Sequence, residues 1–147
     1  MVNILFVCTG NTCRSPLAEA LLREKTNGNI TVRSAGIYAA FGSDASEGTK
    51  QVLAERGINC QHHSSPLTDE LLQWATVVLT MTESHKQTII LNAPYASDKV
   101  YTLKEFVQTG EGDVIDPFGH PVEAYRETAV ELEQLVDKLI EKYNNEQ

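Results

Sequence analysis

Asn3-Ile4-Leu5-Phe6-Val7-Cys8-Thr9-Gly10-Asn11-Thr12-Cys13-Arg14-Ser15-Pro16 decides how this chain is read. Residues 3–8 are apolar after the first, without the alternation of a half-buried strand. They read as a strand covered on both faces. Residues 9–14 form a small polar loop. Ser15-Pro16 reads as a helix start, with Ser15 as N-cap and Pro16 at the first helical position. Leu17, Ala20, Leu21 and Leu22 follow at helical spacing, and the helix is expected to end near Asn27-Gly28. The apolar run 2–7 is far too short to cross a bilayer. It also lacks the charged start and small-residue cleavage site of a secretory signal.

The same grammar continues along the chain. Strands are expected at residues 30–34, 76–81 and 100–103. Helices are expected at 49–56, from Thr68 or Asp69, from Thr82 to about Leu91, and from about Val122 to Tyr143. On the last helix Tyr125, Ala129, Leu132, Leu135, Val136, Leu139 and Ile140 fall on one stripe. Residues 110–121 read as a loop rich in Gly, Asp and Pro. Strands alternating with helices imply an α/β fold with a parallel sheet covered on both faces. Ligands of such sheets bind beyond the carboxyl ends of the strands, where the loop after Cys8 sits.

With 147 residues, 41% of them apolar and 22% charged, one globular domain spanning the whole chain is expected. A chain this long buries enough surface to need no disulfide or metal. The formal net charge of −8 lowers the prospect of nucleic-acid binding, and no membrane segment is expected. It also means that an anionic substrate needs a locally positive site. Three cysteines, Cys8, Cys13 and Cys60, are an odd number, which fits reduced thiols in a cytoplasm.

The loop supplies that positive site. Cys8 ends a buried strand, and Arg14 follows at a helix N-terminus. A loop this short can turn its backbone N–H groups inward as an anion nest, and the helix dipole adds to the field. Arg14 presents a planar fork for two oxygens of a phosphate. The same field favours a Cys8 thiolate, and the Ser15 hydroxyl is placed to donate to it. Gly10 allows a backbone with positive φ, and Asn11 tolerates the left-handed region. A lone Cys-x5-Arg would be a buried thiol and a charge-neutralising arginine. Strand, Gly-Asn loop and helix start together favour a phosphoryl site with a sulfur nucleophile. No Gly-Lys-Ser/Thr follows, so a nucleotide P-loop is disfavoured. Asp116-Pro117 offers an acid for the leaving group, since Pro117 restricts Asp116 to extended backbone.

These segments, with Arg33-Ser34-Ala35-Gly36 and the final helix, resemble the low-molecular-weight protein tyrosine phosphatase family over nearly the whole chain. The resemblance implies a three-layer α/β/α fold with a four-stranded parallel sheet and a metal-free, cofactor-free route through phosphocysteine. It implies Cys8 as nucleophile, Arg14 as phosphate clamp and Asp116 as general acid, then base. Asn11, Ser15, Ser34 and His62 match the family's polar network. Thr12 departs from the Ile or Leu that most members carry. The loop instead resembles the bacterial protein arginine phosphatases, as do Ser64-Ser65-Pro66-Leu67-Thr68, Thr102-Leu103-Lys104-Glu105-Phe106 and Asp116-Pro117-Phe118-Gly119. Tyrosine-directed members usually carry adjacent aromatics after Asp-Pro, whereas Gly119 follows Phe118 here.

Phosphoarginine presents a planar polar guanidinium, which a Thr12 hydroxyl and an Asp116 carboxylate can engage. The phosphate-binding set is then Thr9, Gly10, Asn11, Thr12, Cys13 and Ser15, with Tyr38 and Phe118 as walls. Phosphorylated proteins are the expected substrates of a monomer. The alternatives are a phosphotyrosine phosphatase of the same family and, remotely, an arsenate reductase, which would need late cysteines absent after Cys60. A binding module without catalysis would not retain both Cys8 and Asp116. Cys13 is expected near Cys8 in the curled loop, close enough for a protective disulfide. His62, His63, His85 and His120 lack metal-ligand spacing; His85, His63 and His120 read as surface residues and Trp74 as core.

Overall fold

The computed structural model describes residues 2–26, 28–107 and 112–145. The first strand, β1 (Val2–Cys8), has Ile4, Leu5, Phe6 and Val7 wholly buried, because its two faces feed two different cores. Ile4, Phe6 and Cys8 pack with α1 (Arg14–Lys25), α2 (Glu47–Glu55) and α6 (Val122–Asn145). Leu5 and Val7 pack on the opposite side with residues of α3 (Asp69–Trp74) and α4 (Glu83–Asn92). An uninterrupted apolar run is what this double burial requires.

β2 (Ile30–Gly36), β3 (Val77–Thr80) and β4 (Val100–Thr102) complete a parallel sheet in the order β2-β1-β3-β4. The chain passes from β1 to β2 on one side and then to β3 on the other. The carboxyl end of β1 is therefore the topological switch point, where a crevice forms. The three-layer α/β/α architecture with four parallel strands matches the sequence expectation.

Local differences have physical causes. α1 begins at Arg14, with Cys13 as its N-cap residue and no side-chain cap. Ser15 is thus not the cap, because its hydroxyl is drawn to the Cys8 sulfur instead. The helix ends at Lys25, and Asn27 lies outside the described residues, as do Gly110 and Glu111 of the expected late loop. Ser46, Thr68 and Thr82 cap α2, α3 and α4. A 3-10 turn at Pro94–Lys99 and the short α5 (Leu103–Phe106) were not expected. The stripe of α6 is buried from Tyr125 to Leu139, with Ile140 partly buried at its end. Trp74 is only half-buried, at the rim of the second core, where the Arg33 guanidinium lies 4.8 Å from its ring centroid.

Candidate active site

The loop after β1 is fastened from three directions. The Ile37 and Tyr38 amides donate to the Cys8 and Thr9 carbonyls at 3.0 and 2.9 Å. The Ser46 amide donates to the Thr12 carbonyl at 2.9 Å, and the Thr49 hydroxyl joins it at 3.2 Å. Gly36 is what lets β2 approach so closely. A Cβ there would stand 2.6 Å from the Thr9 carbonyl oxygen and 2.8 Å from the Asn11 nitrogen.

Asn11 is the residue that turns the loop, at φ 57°, as its side-chain type permits. Gly10 does not take a positive φ, because Asn11 makes the turn and its side chain is rewarded there. The Ser65 amide donates to Asn11 Oδ1 at 2.9 Å, which fixes which end of the side-chain amide is oxygen. Asn11 Nδ2 then donates to Ser15 Oγ at 2.8 Å and to Ser34 Oγ at 2.9 Å. With that lone pair of Ser15 taken, its hydroxyl proton is directed to Cys8 Sγ, 2.9 Å away. Ser34 Oγ donates in turn to Glu19 Oε1 at 2.5 Å. His62 Nε2 donates to the Asn11 carbonyl at 2.7 Å, and its Nδ1 lies 3.7 Å from Glu19. Burial by itself would raise the Glu19 pKa, but the adjacent His62 ring, the hydrogen bonds from Ser34 and Arg23 and the Arg23 charge outweigh it. Its carboxyl is held below the usual range. Glu19 anchors the expected network but was missed; its place one turn after Ser15 on α1 was the available signal.

Arg14 starts α1 and is buried. Its Nη1 donates to the Val114 carbonyl at 2.9 Å, and its Nη2 lies 3.5 Å from Asp116 Oδ2. Its buried Nε has no partner, although buried donors are normally satisfied. Asp116 is brought over the loop because the Val114 amide bonds the Met81 carbonyl, just past β3, at 2.9 Å. The Asp116 carboxylate also accepts from the Phe118 amide at 3.0 Å and remains half-exposed.

Cys8, Thr9, Gly10, Thr12, Cys13, Arg14, Asp116 and Phe118 line one cavity of about 190 Å³. Asn11, Ser15, Ser34 and His62 stand behind it rather than in it. Tyr38 is not in this lining either: its backbone holds the Thr9 carbonyl while its side chain lies exposed. Cys8 and Cys13 are free thiols, and the Cys13 sulfur meets the Ser46 and Tyr125 hydroxyls at 3.4 and 3.5 Å. A larger cavity of about 450 Å³ between α3 and α4 is lined by residues including Ile37, Leu67, Asp69, Ile89 and Asn92. Its lining has no thiol and no cation for an anionic substrate, so chemistry rather than size selects the smaller one. Among the described residues no cluster of three His, Cys, Asp or Glu side chains could hold a metal.

One histidine departs from expectation. His63 and His120 are exposed, but His85, in the first turn of α4, is buried with Nε2 2.8 Å from Thr9 Oγ1. Its buried Nδ1 has no partner. Burial, reinforced by the nearby Arg14 charge, depresses its pKa to about 4 against the opposing pull of Asp113 and Asp116. It read as a surface residue because sequence spacing does not show that α4 starts beside the β1 loop.

A cysteine sulfur, an arginine fork with a free donor, and a carboxylate over one small cavity are the groups a cysteine-dependent phosphatase calls for. The sequence profile described as low molecular weight phosphotyrosine protein phosphatase matches residues 3–147, and the chain belongs to that family. It is 54% identical over 144 residues to a protein-arginine-phosphatase of Geobacillus stearothermophilus, covering 98% of this chain and 97% of the relative. The solved YwlE arginine phosphatase from Geobacillus stearothermophilus superposes with a TM-score of 0.98 at 53% identity, covering 100% of this chain and 96% of that one. A YwlE arginine phosphatase mutant with a phosphorylated active-site serine superposes with a TM-score of 0.94 at 45% identity, covering 97% and 96%.

Proposed function

We propose that this chain is a protein arginine phosphatase, acting as a cytoplasmic monomer whose whole length is one catalytic domain. The observation that carries the substrate choice is that Thr12 and Asp116 line the same cavity as Cys8 and Arg14. Phe118 is the only aromatic in that lining, so a phenyl ring has no second wall to lie against. The relatives named as arginine phosphatases support the same choice.

Phosphate binds with its oxygens on Arg14, including the unpartnered Nε, and on the loop amides. Cys8 Sγ, steadied by Ser15, attacks phosphorus, forming the S–P bond as the P–N bond to arginine breaks. Asp116 gives its proton to the departing guanidine nitrogen. It then takes a proton from the water that attacks phosphocysteine. Inorganic phosphate leaves, and the sulfur is restored as thiolate. The phosphorylated active-site serine of the arginine phosphatase mutant supports a covalent route.

A phosphotyrosine phosphatase is the second candidate, favoured by the family description and by Phe118 at the cavity. Matched peptides carrying phosphoarginine or phosphotyrosine decide between them. Wild type is expected to prefer phosphoarginine. Thr12→Ile is expected to lose about one to two decades of kcat/KM on it, the equivalent of about 1–3 kcal/mol for an unpaired polar partner. Better turnover of phosphotyrosine by wild type would overturn the substrate assignment and leave the Cys8 chemistry standing.

A further inference from the structure

His85 is a buried titratable group beside this site, bonded to a residue of the cavity lining, that the proposed route does not use. Two tautomers are compatible with its contact to Thr9. If Nδ1 carried the proton, a buried N–H would be left without an acceptor, facing the field of Arg14. If Nε2 carries it, Nδ1 is a bare lone pair, which a neighbouring cation favours. The second arrangement leaves less unsatisfied, so Nε2–H donates to Thr9 Oγ1 across 2.8 Å. With that oxygen already accepting, the Thr9 hydroxyl proton is released to point elsewhere. Thr9 lines the cavity. A phosphoryl group offers only acceptors, so a hydroxyl turned outward as a donor is what such a ligand needs.

We propose that His85 is a positioning residue that, through Thr9, presents a hydroxyl donor to the phosphoryl oxygens and fixes the first turn of the phosphate loop. The depressed pKa of about 4 keeps the ring neutral at ordinary pH, so it serves as an orienting group and not as a second cation beside Arg14. The proposal rests on the Cys8–Arg14 loop being a phosphoryl site, and binding of inorganic phosphate tests it without requiring turnover.

The test is a double-mutant cycle on the full chain with Thr9→Val, His85→Leu and the pair, plus His85→Gln, whose amide can replace the Nε2–H donor. The readouts are inorganic phosphate affinity by calorimetry and kcat/KM on an aryl phosphate. Each single variant is expected to lose about tenfold in both, the size of one lost hydrogen bond to a charged group. The pair should lose no more than either alone, and His85→Gln should recover most of the loss. Losses that multiply in the pair would show that His85 acts by packing and overturn the proposal. Wild-type phosphate affinity in Thr9→Val would overturn it as well, and stands as the test if His85→Leu does not fold. Wild type that binds phosphate but turns over no phosphate ester would count against the phosphatase assignment and leave this cycle readable.

Discussion

At φ 57° Asn11 occupies a conformation that costs most side chains about 1–2 kcal/mol, yet its amide makes three hydrogen bonds there. Asn11→Ala keeps the strain and leaves Ser15, Ser34 and the Ser65 amide without their partner. It should lower unfolding free energy by more than about 2 kcal/mol in urea titration. It should also slow turnover, since the Ser15 proton is no longer directed to sulfur. The sequence showed that this loop needs a left-handed residue, but not which one. Glycine permits either hand, and only the folded partners of the Asn11 amide choose. His85 was illegible for a related reason: a first-turn position on a helix is exposed or buried according to what the helix start abuts. Its burial carries a pH prediction. The folded pKa of about 4 lies below the ordinary value of 6.5, so the unfolded chain binds the extra proton. This contribution to stability is complete above about pH 6.5 and is lost as pH falls toward about 4, at up to about 1.4 kcal/mol per pH unit. His85→Gln should flatten that slope by one proton in denaturation curves. Glu19, held low, loses its contribution only at still lower pH, and cancels when the two proteins are compared.

The elements that could be read were those whose pattern is set by burial. β1 announced itself because both faces are covered, and α6 because its stripe repeats over 24 residues. α5 has only four residues and no stripe to read, but the pattern Thr102-x-x-Glu105 was a visible capping box, and both its hydrogen bonds are present. The start of α1 was misplaced by two residues because Ser15 has the composition of a cap while its hydroxyl serves the sulfur. The contact of β2 with the catalytic loop was hidden entirely, since a glycine at a strand end does not say what lies against it. Gly36→Ala puts a methyl group against backbone atoms of Thr9 and Asn11, which cannot swing aside as a side-chain tip would. The loop must shift by several tenths of an ångström, enough to cost roughly tenfold or more in kcat on an aryl phosphate. Gly10→Ala is the control for stability. Its Cβ would meet Thr12 Oγ1 at an ordinary 3.7 Å, and no positive φ is involved. Its melting temperature should stay within about 2 °C of wild type, while that of Gly36→Ala falls further.

On the scale of the whole molecule, a net charge of −8 surrounds a cavity lined by one cation, Arg14. The buried fork decides what binds, because its contacts are short and little screened. The rest of the charge decides how readily a substrate arrives, and acts through solvent, where salt weakens it over about 8–10 Å. The two effects can be separated by ionic strength. A phosphopeptide flanked by lysines or arginines is drawn to an acidic surface, so its kcat/KM should fall several-fold between roughly 25 and 300 mM salt. A peptide of the same length flanked by aspartates is repelled, and its kcat/KM should rise over that range. The change should lie mostly in KM, since chemistry inside the cavity is shielded from bulk salt. Equal salt dependence for the two peptides would mean that the net charge plays no part in substrate capture. Recognition would then be confined to the residues that line the cavity. Opposite slopes would make the acidity of the chain, awkward for a bare phosphate, a preference for phosphate carried on a basic protein segment.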